Sequence, residues 1–169
     1  DHRGEALRVA ISERQGVSPD QVTIGCGSVG LLQQAFTAYV GAGDEVVYPW
    51  RSFEVHPIFS AIAEAKPVMV PLTDQAFDLD AVAKAVNERT KLVILSTPNN
   101  PTGTMVPEQD VVRLVDGLPN HTLLVLDGAY AEYVDNYDGG IQLVKKVDNV
   151  IMIRTFSKIY GLSLIHISE

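Results

Sequence analysis

The sequence predicts an α/β fold, a parallel sheet covered on both faces by helices, and three observations predict it. Short apolar runs bounded by turn residues recur along the chain, helical patterns lie between them, and runs such as LVIL (92–95) and LLVL (123–126) are apolar throughout. A strand with one wet face alternates apolar and polar residues, whereas a strand covered on both faces does not, so continuous apolar runs belong to a parallel sheet. Strands alternating with helices are joined by right-handed crossovers. No internal repeat and no Pro/Gly/Ser linker divides the 169 residues, of which 46% are hydrophobic, so they read as one domain with a sizeable core.

The opening DHRGEALRVAISERQG is an amphipathic, charged segment and not a signal peptide. Strands are predicted at Val22–Gly25, Glu45–Tyr48, Lys66–Val70, Leu92–Ser96, Leu123–Leu126 and Val150–Arg154. Helices are predicted near Val29–Val40, Phe53–Glu64, Leu79–Asn87 and Glu108–Asp116, the last two announced by Asp78 and Pro107 at their starts.

Composition narrows the function. The formal charge is -8, the isoelectric point is near 4.9, and no basic stripe is present. Nucleic acid and anionic membrane surfaces are therefore excluded as expected partners. Cys26 is the only cysteine, so the chain has neither an intramolecular disulfide nor a cysteine-built metal site, which fits the cytosol. No apolar run approaches the roughly 18 residues of a membrane span.

In open α/β sheets, functional residues gather at the carboxyl ends of the strands. Those ends read GCGSVG, YPWRSF, STPNNPTG, LDGAY and RTFSK. In the first, Gly27, Ser28 and Val29 would present N–H groups at a helix start, where an anion is stabilised. The plainer alternative is a tight turn with Ser28 as N-cap. In STPNNPTG, two prolines pin the loop and leave an asparagine amide to address a ligand, or the segment is only an elaborate turn. Asp127 ends a buried strand, where a carboxylate is costly unless a cation meets it, from a structural Arg or Lys or from a ligand. Lys158 reads either as a solvated surface lysine or, if desolvated, as a nucleophilic amine, and Thr155 and Ser157 beside it suit a phosphate. Together these amount to a carboxylate, a phenol (Tyr130), an amide, a lysine and a phosphate cradle on successive strand ends. That is the set pyridoxal phosphate requires.

NNPTG, DGAY and SK, in that order and spacing, resemble the fold-type I aminotransferases, and the stretch VVYPWRSFEVHPI resembles their histidinol-phosphate branch. The resemblance implies a three-layer, mostly parallel sheet, the large domain of the pyridoxal-phosphate-dependent transferases. It implies that Lys158 binds the cofactor aldehyde and that Asp127 partners the pyridinium nitrogen. Asn100 and Tyr130 would address the ring oxygen, and Phe53, in preference to Trp50, would stack on the ring. Ser28, Val29, Thr155 and Ser157, beside Gly27, match phosphate-contacting positions. The implied reaction is transfer of an amino group from histidinol phosphate to 2-oxoglutarate, in a cytoplasmic homodimer. Related aromatic amino acid aminotransferases, other fold-type I enzymes such as β-elimination lyases or acyl-CoA-dependent synthases, and a non-catalytic fragment are the alternatives.

Two departures stand out. His56 occupies a position where relatives often carry Tyr, and no arginine follows Lys158. The resemblance therefore implies an incomplete large domain over residues 1–162, with 163–169 (SLIHISE) as an atypical tail. The N-terminal arm, the C-terminal small domain and one antiparallel strand, lying between the first and last predicted strands, would be absent.

Overall fold

The computed structural model describes residues 4–162. Their elements, in chain order, are α1 (Glu5–Gln15), α2 (Gly27–Tyr39), β1 (Glu45–Trp50), α3 (Val55–Ile62), β2 (Lys66–Pro71) and α4 (Leu79–Ala85), then β3 (Thr90–Ser96), α5 (Glu108–Gly117), β4 (Leu123–Asp127), α6 (Ile141–Val144) and β5 (Val150–Ile153). The strands form one sheet of order β2-β1-β3-β4-β5, and every pairing is parallel.

Helices cover both faces, as the apolar strands require, and side-chain alternation sorts the core into two layers. Val47, Val93, Leu95, Leu124 and Leu126 pack against Val82 of α4, Val111, Leu114 and Val115 of α5, and Leu143 of α6. Their strand neighbours Val46, Tyr48, Leu92, Ile94, Leu123 and Val125 face the other way, onto Leu32 and Phe36 of α2 and Phe59 of α3. Leu92, Ile94 and Leu124 have no exposed surface. Each contributes roughly 1.5–3 kcal/mol over its exposed state.

Asp78 caps α4 by accepting the Ala81 N–H at 2.9 Å. Helix α1 closes on Gly16 in the left-handed region (φ 65°), whose N–H returns to the Ser12 carbonyl. That conformation favours glycine because it has no Cβ to clash with the following carbonyl.

The predicted strand Val22–Gly25 is not a strand. Val22 is extended, but Arg8 claims its neighbourhood, donating from Nε to the Val22 carbonyl at 2.8 Å and from Nη2 to the Pro19 carbonyl at 2.7 Å. A short 3₁₀ turn at Pro19–Gln21, capped by Ser18, precedes it. The sheet therefore has β2 and β5 as its two edges among the described residues. Residues 163–169, read as an atypical tail, and Asp1 lie outside the described residues.

Register places the functional edge. Ser96 is level with Asp127, and Asp127 with Ile153, so the loops after β3, β4 and β5 emerge side by side. Each strand delivers to that edge the polar residues just past its apolar run.

Candidate active site

At that edge lies an open cavity of about 120 Å³. Ser28 and Val29 line it from the start of α2, and Phe53 from the loop before α3. Ser96, Pro98 and Asn100 come from the end of β3 and its loop, and Asp127, Ala129 and Tyr130 from the end of β4. Thr155, Ser157 and Lys158 complete it from the loop after β5. All of the residues singled out in the sequence are thus brought together except Gly27. Gly27 sits just outside with φ 72°, and a Cβ there would stand 4.0 Å from Ser157 Oγ.

Asp127 forms the floor. It is 6% exposed, and its Oδ1 accepts the Ala129 N–H at 3.1 Å. Among the described residues no cation lies within ion-pairing distance of it. Burial pushes its pKa up, opposed in part by the Ala129 N–H and by the charge of Lys158. Directly across in the sheet, the buried Ser96 hydroxyl also lowers the Asp127 pKa, though it makes no hydrogen bond of good geometry.

One wall suits an anion. Helix α2 begins at Gly27, whose N–H donates to the Gly25 carbonyl at 2.8 Å, and its N-cap Cys26 supplies no side-chain cap, which leaves the N–H groups that follow to carry the helix's positive end. Ser28 is therefore not the N-cap. Beside it, Thr155 Oγ1 lies 3.0 Å from Ser157 Oγ and accepts the Ser157 N–H at 3.1 Å, which sets two hydroxyls together.

Across the mouth, Lys158 Nζ lies 5.2 Å from the centre of the Tyr130 ring. A cation over a ring face is attracted to its quadrupole. Lys158 itself is exposed. Phe53 meets His56 edge to face at 6.0 Å. Trp50 does not reach the cavity; it packs on Tyr48 at 6.3 Å beneath the Arg51 guanidinium.

The two asparagines divide the labour. Asn99 is buried and holds the loop: its Oδ1 accepts from Ser52 Oγ at 2.9 Å, and its Nδ2 donates to the Arg51 carbonyl at 3.1 Å and to Thr102 Oγ1 at 2.8 Å. Asn100 faces the cavity. Sequence reasoning missed Ser96, Pro98 and Ala129. For Ser96 a signal existed: it is the polar residue closing the run LVIL, as Asp127 closes LLVL.

His56 is wholly buried, with neither ring nitrogen hydrogen-bonded, and burial lowers its pKa to about 4. The adjacent Tyr48 hydroxyl makes no hydrogen bond of good geometry, and burial raises it to about 12 against a weaker opposing influence from the Ser60 hydroxyl. The two rings meet at 5.3 Å.

The family model of aminotransferase class I and II matches residues 4–164. The histidinol-phosphate aminotransferase of Ruegeria pomeroyi is 54% identical over 156 residues, which are 92% of this chain and 43% of that protein. The aromatic amino acid aminotransferase of Thermobifida fusca is 45% identical over 169 residues, 99% of this chain and 47% of that protein. Among solved structures, the histidinol-phosphate aminotransferase of Sinorhizobium meliloti in complex with pyridoxal-5'-phosphate superposes with a TM-score of 0.84 at 36% identity. That match covers 94% of this chain and 44% of the other. The chain thus spans less than half the length of these relatives, and within that span it belongs to the class I and II aminotransferases.

Proposed function

We propose that this chain provides the pyridoxal 5'-phosphate site of an aminotransferase that moves an amino group from histidinol phosphate to 2-oxoglutarate. Asp127 is the observation that carries this reading. A buried carboxylate without a cation is disfavoured by several kcal/mol, and a protonated ring nitrogen supplies the missing partner. The residues around it fit the rest of the cofactor. The uncapped start of α2 with Ser28, Val29, Thr155 and Ser157 suits the phosphate, and Phe53 offers an aromatic face. Asn100 and Tyr130 offer donors for a ring oxygen, and Lys158 offers the amine.

When bound, the cofactor is an electron sink that stabilises negative charge at the substrate α-carbon. Asp127 keeps a proton on the ring nitrogen by its charge, an electrostatic role and not a proton transfer. Lys158 Nζ moves a proton to and from the substrate α-carbon, reaching it from the cleft mouth. The same reading makes the enzyme a cytosolic homodimer, as the resemblance implies. None of the described helices is long and apolar enough to cross a membrane.

The similarity to the Thermobifida fusca protein favours one second reading, an aromatic amino acid aminotransferase with the same cofactor residues. Following glutamate formation from 2-oxoglutarate separates them. Formation with histidinol phosphate and not with phenylalanine or tyrosine supports the proposal, and the reverse supports the second reading. Ammonia and pyruvate released without any acceptor would replace both with a lyase.

A further inference from the structure

We propose that Arg154 and Glu132 are positioning residues that hold Lys158 against Tyr130. The inference rests on the cofactor site proposed above and identifies what keeps it in shape. Tyr130 follows β4 and Lys158 follows β5, so two separate loops must be fixed relative to each other for the amine to stand over the ring. Strand pairing ends at Asp127 and Ile153 and cannot do this.

One ion pair bridges the loops just beyond that point. Arg154 is the first residue after β5, and Glu132 lies in the 3₁₀ turn Ala131–Tyr133 that follows Tyr130. Arg154 Nη2 lies 2.7 Å from Glu132 Oε1, and Nε donates to the same oxygen at 3.2 Å. Nη1 donates to the Asp138 carbonyl at 3.3 Å, so the guanidinium also anchors the far end of the same loop. The two side chains are only 25% and 15% exposed, which sets the pair apart from the solvated ion pairs that contribute little.

The backbone is cleared for this arrangement. A Cβ at Gly139, whose φ is 74°, would collide with Arg154 Nη1, and a Cβ at Gly128 would stand 3.1 Å from Arg154 Cδ. Two glycines in one loop thus flank a single guanidinium. Neither Arg154 nor Glu132 lines the cavity, so any influence on the site passes through the residues they hold.

The test compares Arg154→Met, Glu132→Gln, the double variant Arg154→Met/Glu132→Leu and Arg154→Lys in the full chain. Lys66→Met, at the opposite end of the sheet, is the control. Three quantities are read: the thermal midpoint, the rate at which trinitrobenzene sulfonate modifies Lys158 (peptide-mapped, without cofactor), and capture of pyridoxal phosphate followed by absorbance. The double variant leaves no unpaired buried charge and should recover the midpoint that either single variant loses. Its Lys158 modification rate should still differ several-fold from the original, and its capture of pyridoxal phosphate should weaken about tenfold, as misplacement of a functional group predicts. Arg154→Lys keeps a charge but loses the fork, and should fall between the two.

Original modification and capture in the double variant would overturn the proposal. So would changes that merely follow the midpoint, as in Lys66→Met. If the unaltered chain fails to capture pyridoxal phosphate, the cofactor reading falls, while the modification rates still decide the role of the pair.

Discussion

Two carboxylates are buried in the same sheet, one at each end, and their surroundings could hardly differ more. Glu45 opens β1 and is 2% exposed. It accepts from Asn87 Nδ2 at 2.6 Å and pairs with Arg89 at 2.8 Å and Lys66 at 3.1 Å. The Asn87 hydrogen bond, helped by both cations, holds its carboxyl below the usual range against the opposing pull of burial. Asp127 closes β4, 6% exposed, with one backbone N–H and no ion-pair partner among the described residues. Its carboxyl is held above the usual range by burial. The amino edge of the sheet has satisfied its charge from within the chain, and the carboxyl edge has left one for something else. Structure accounts for the first carboxylate, and the proposed cofactor site would account for the second.

Substitutions at the two positions should therefore part company. Asp127→Asn should lower amino transfer on the order of 10²–10³-fold, the scale of losing one electrostatic stabiliser in a dry site. Its thermal midpoint should stay the same or rise, because an unpaired buried charge has been removed. A midpoint that falls instead would place Asp127 among the structural residues and erase the contrast. Glu45→Gln should do the opposite: no direct effect on the cleft, and a loss of about 1–3 kcal/mol in unfolding free energy from the hydrogen bonds to a charged acceptor. The exposed side chains of Lys66 and Arg89 keep that figure modest.

Acid should widen the difference. Glu45 has its folded pKa lowered, so its stabilising contribution is present above the unfolded value and lost as pH falls through the folded one. Asp127 is shifted upward, so its contribution has the reverse sign and favours folding as the carboxyl becomes protonated. His56 adds to the acid sensitivity. Buried and neutral, with its pKa lowered from 6.5 to about 4, it contributes stability that is intact above pH 6.5 and lost between there and about 4. Denaturant unfolding from pH 7 to 4 should show the decline, and His56→Phe should flatten it. The smallest effect belongs to Tyr48→Phe. Its hydroxyl has only the Ser60 hydroxyl nearby and no hydrogen bond of good geometry to lose, so the change should stay within about 0.5 kcal/mol or stabilise, and a larger loss would show that the Ser60 contact matters.

The range of the forces involved decides which features were legible in the sequence. Strands β3 and β4 were readable because burial on both faces leaves an unbroken apolar run such as LVIL, the other three because short apolar runs sit between turn residues, and the cleft was readable because a parallel sheet delivers its strand ends to one edge. The run Val22–Gly25 misled because a strand exists only where a neighbour pairs with it. Here the Arg8 side chain takes the Val22 carbonyl, and nothing in the local pattern announces that. The division between Asn99, which locks the loop, and Asn100, which faces the cavity, was open to sequence only through family resemblance. The Glu45 cluster and the Arg154–Glu132 pair join residues far apart in the chain, so they have no local signature. The exposure of Lys158 is of the same kind, since burial depends on what the rest of the fold places over it.

Whether the carboxyl edge is a cofactor site can be decided by mixing the purified chain with pyridoxal phosphate, reducing with borohydride and mapping the modified peptide by mass. If it is, the label resides on Lys158, its yield falls sharply in Asp127→Ala, and it vanishes in Lys158→Ala. Label spread evenly over Lys66, Lys84, Lys91, Lys145 and Lys146, with no preference for Lys158, would show that the carboxyl edge holds no such site.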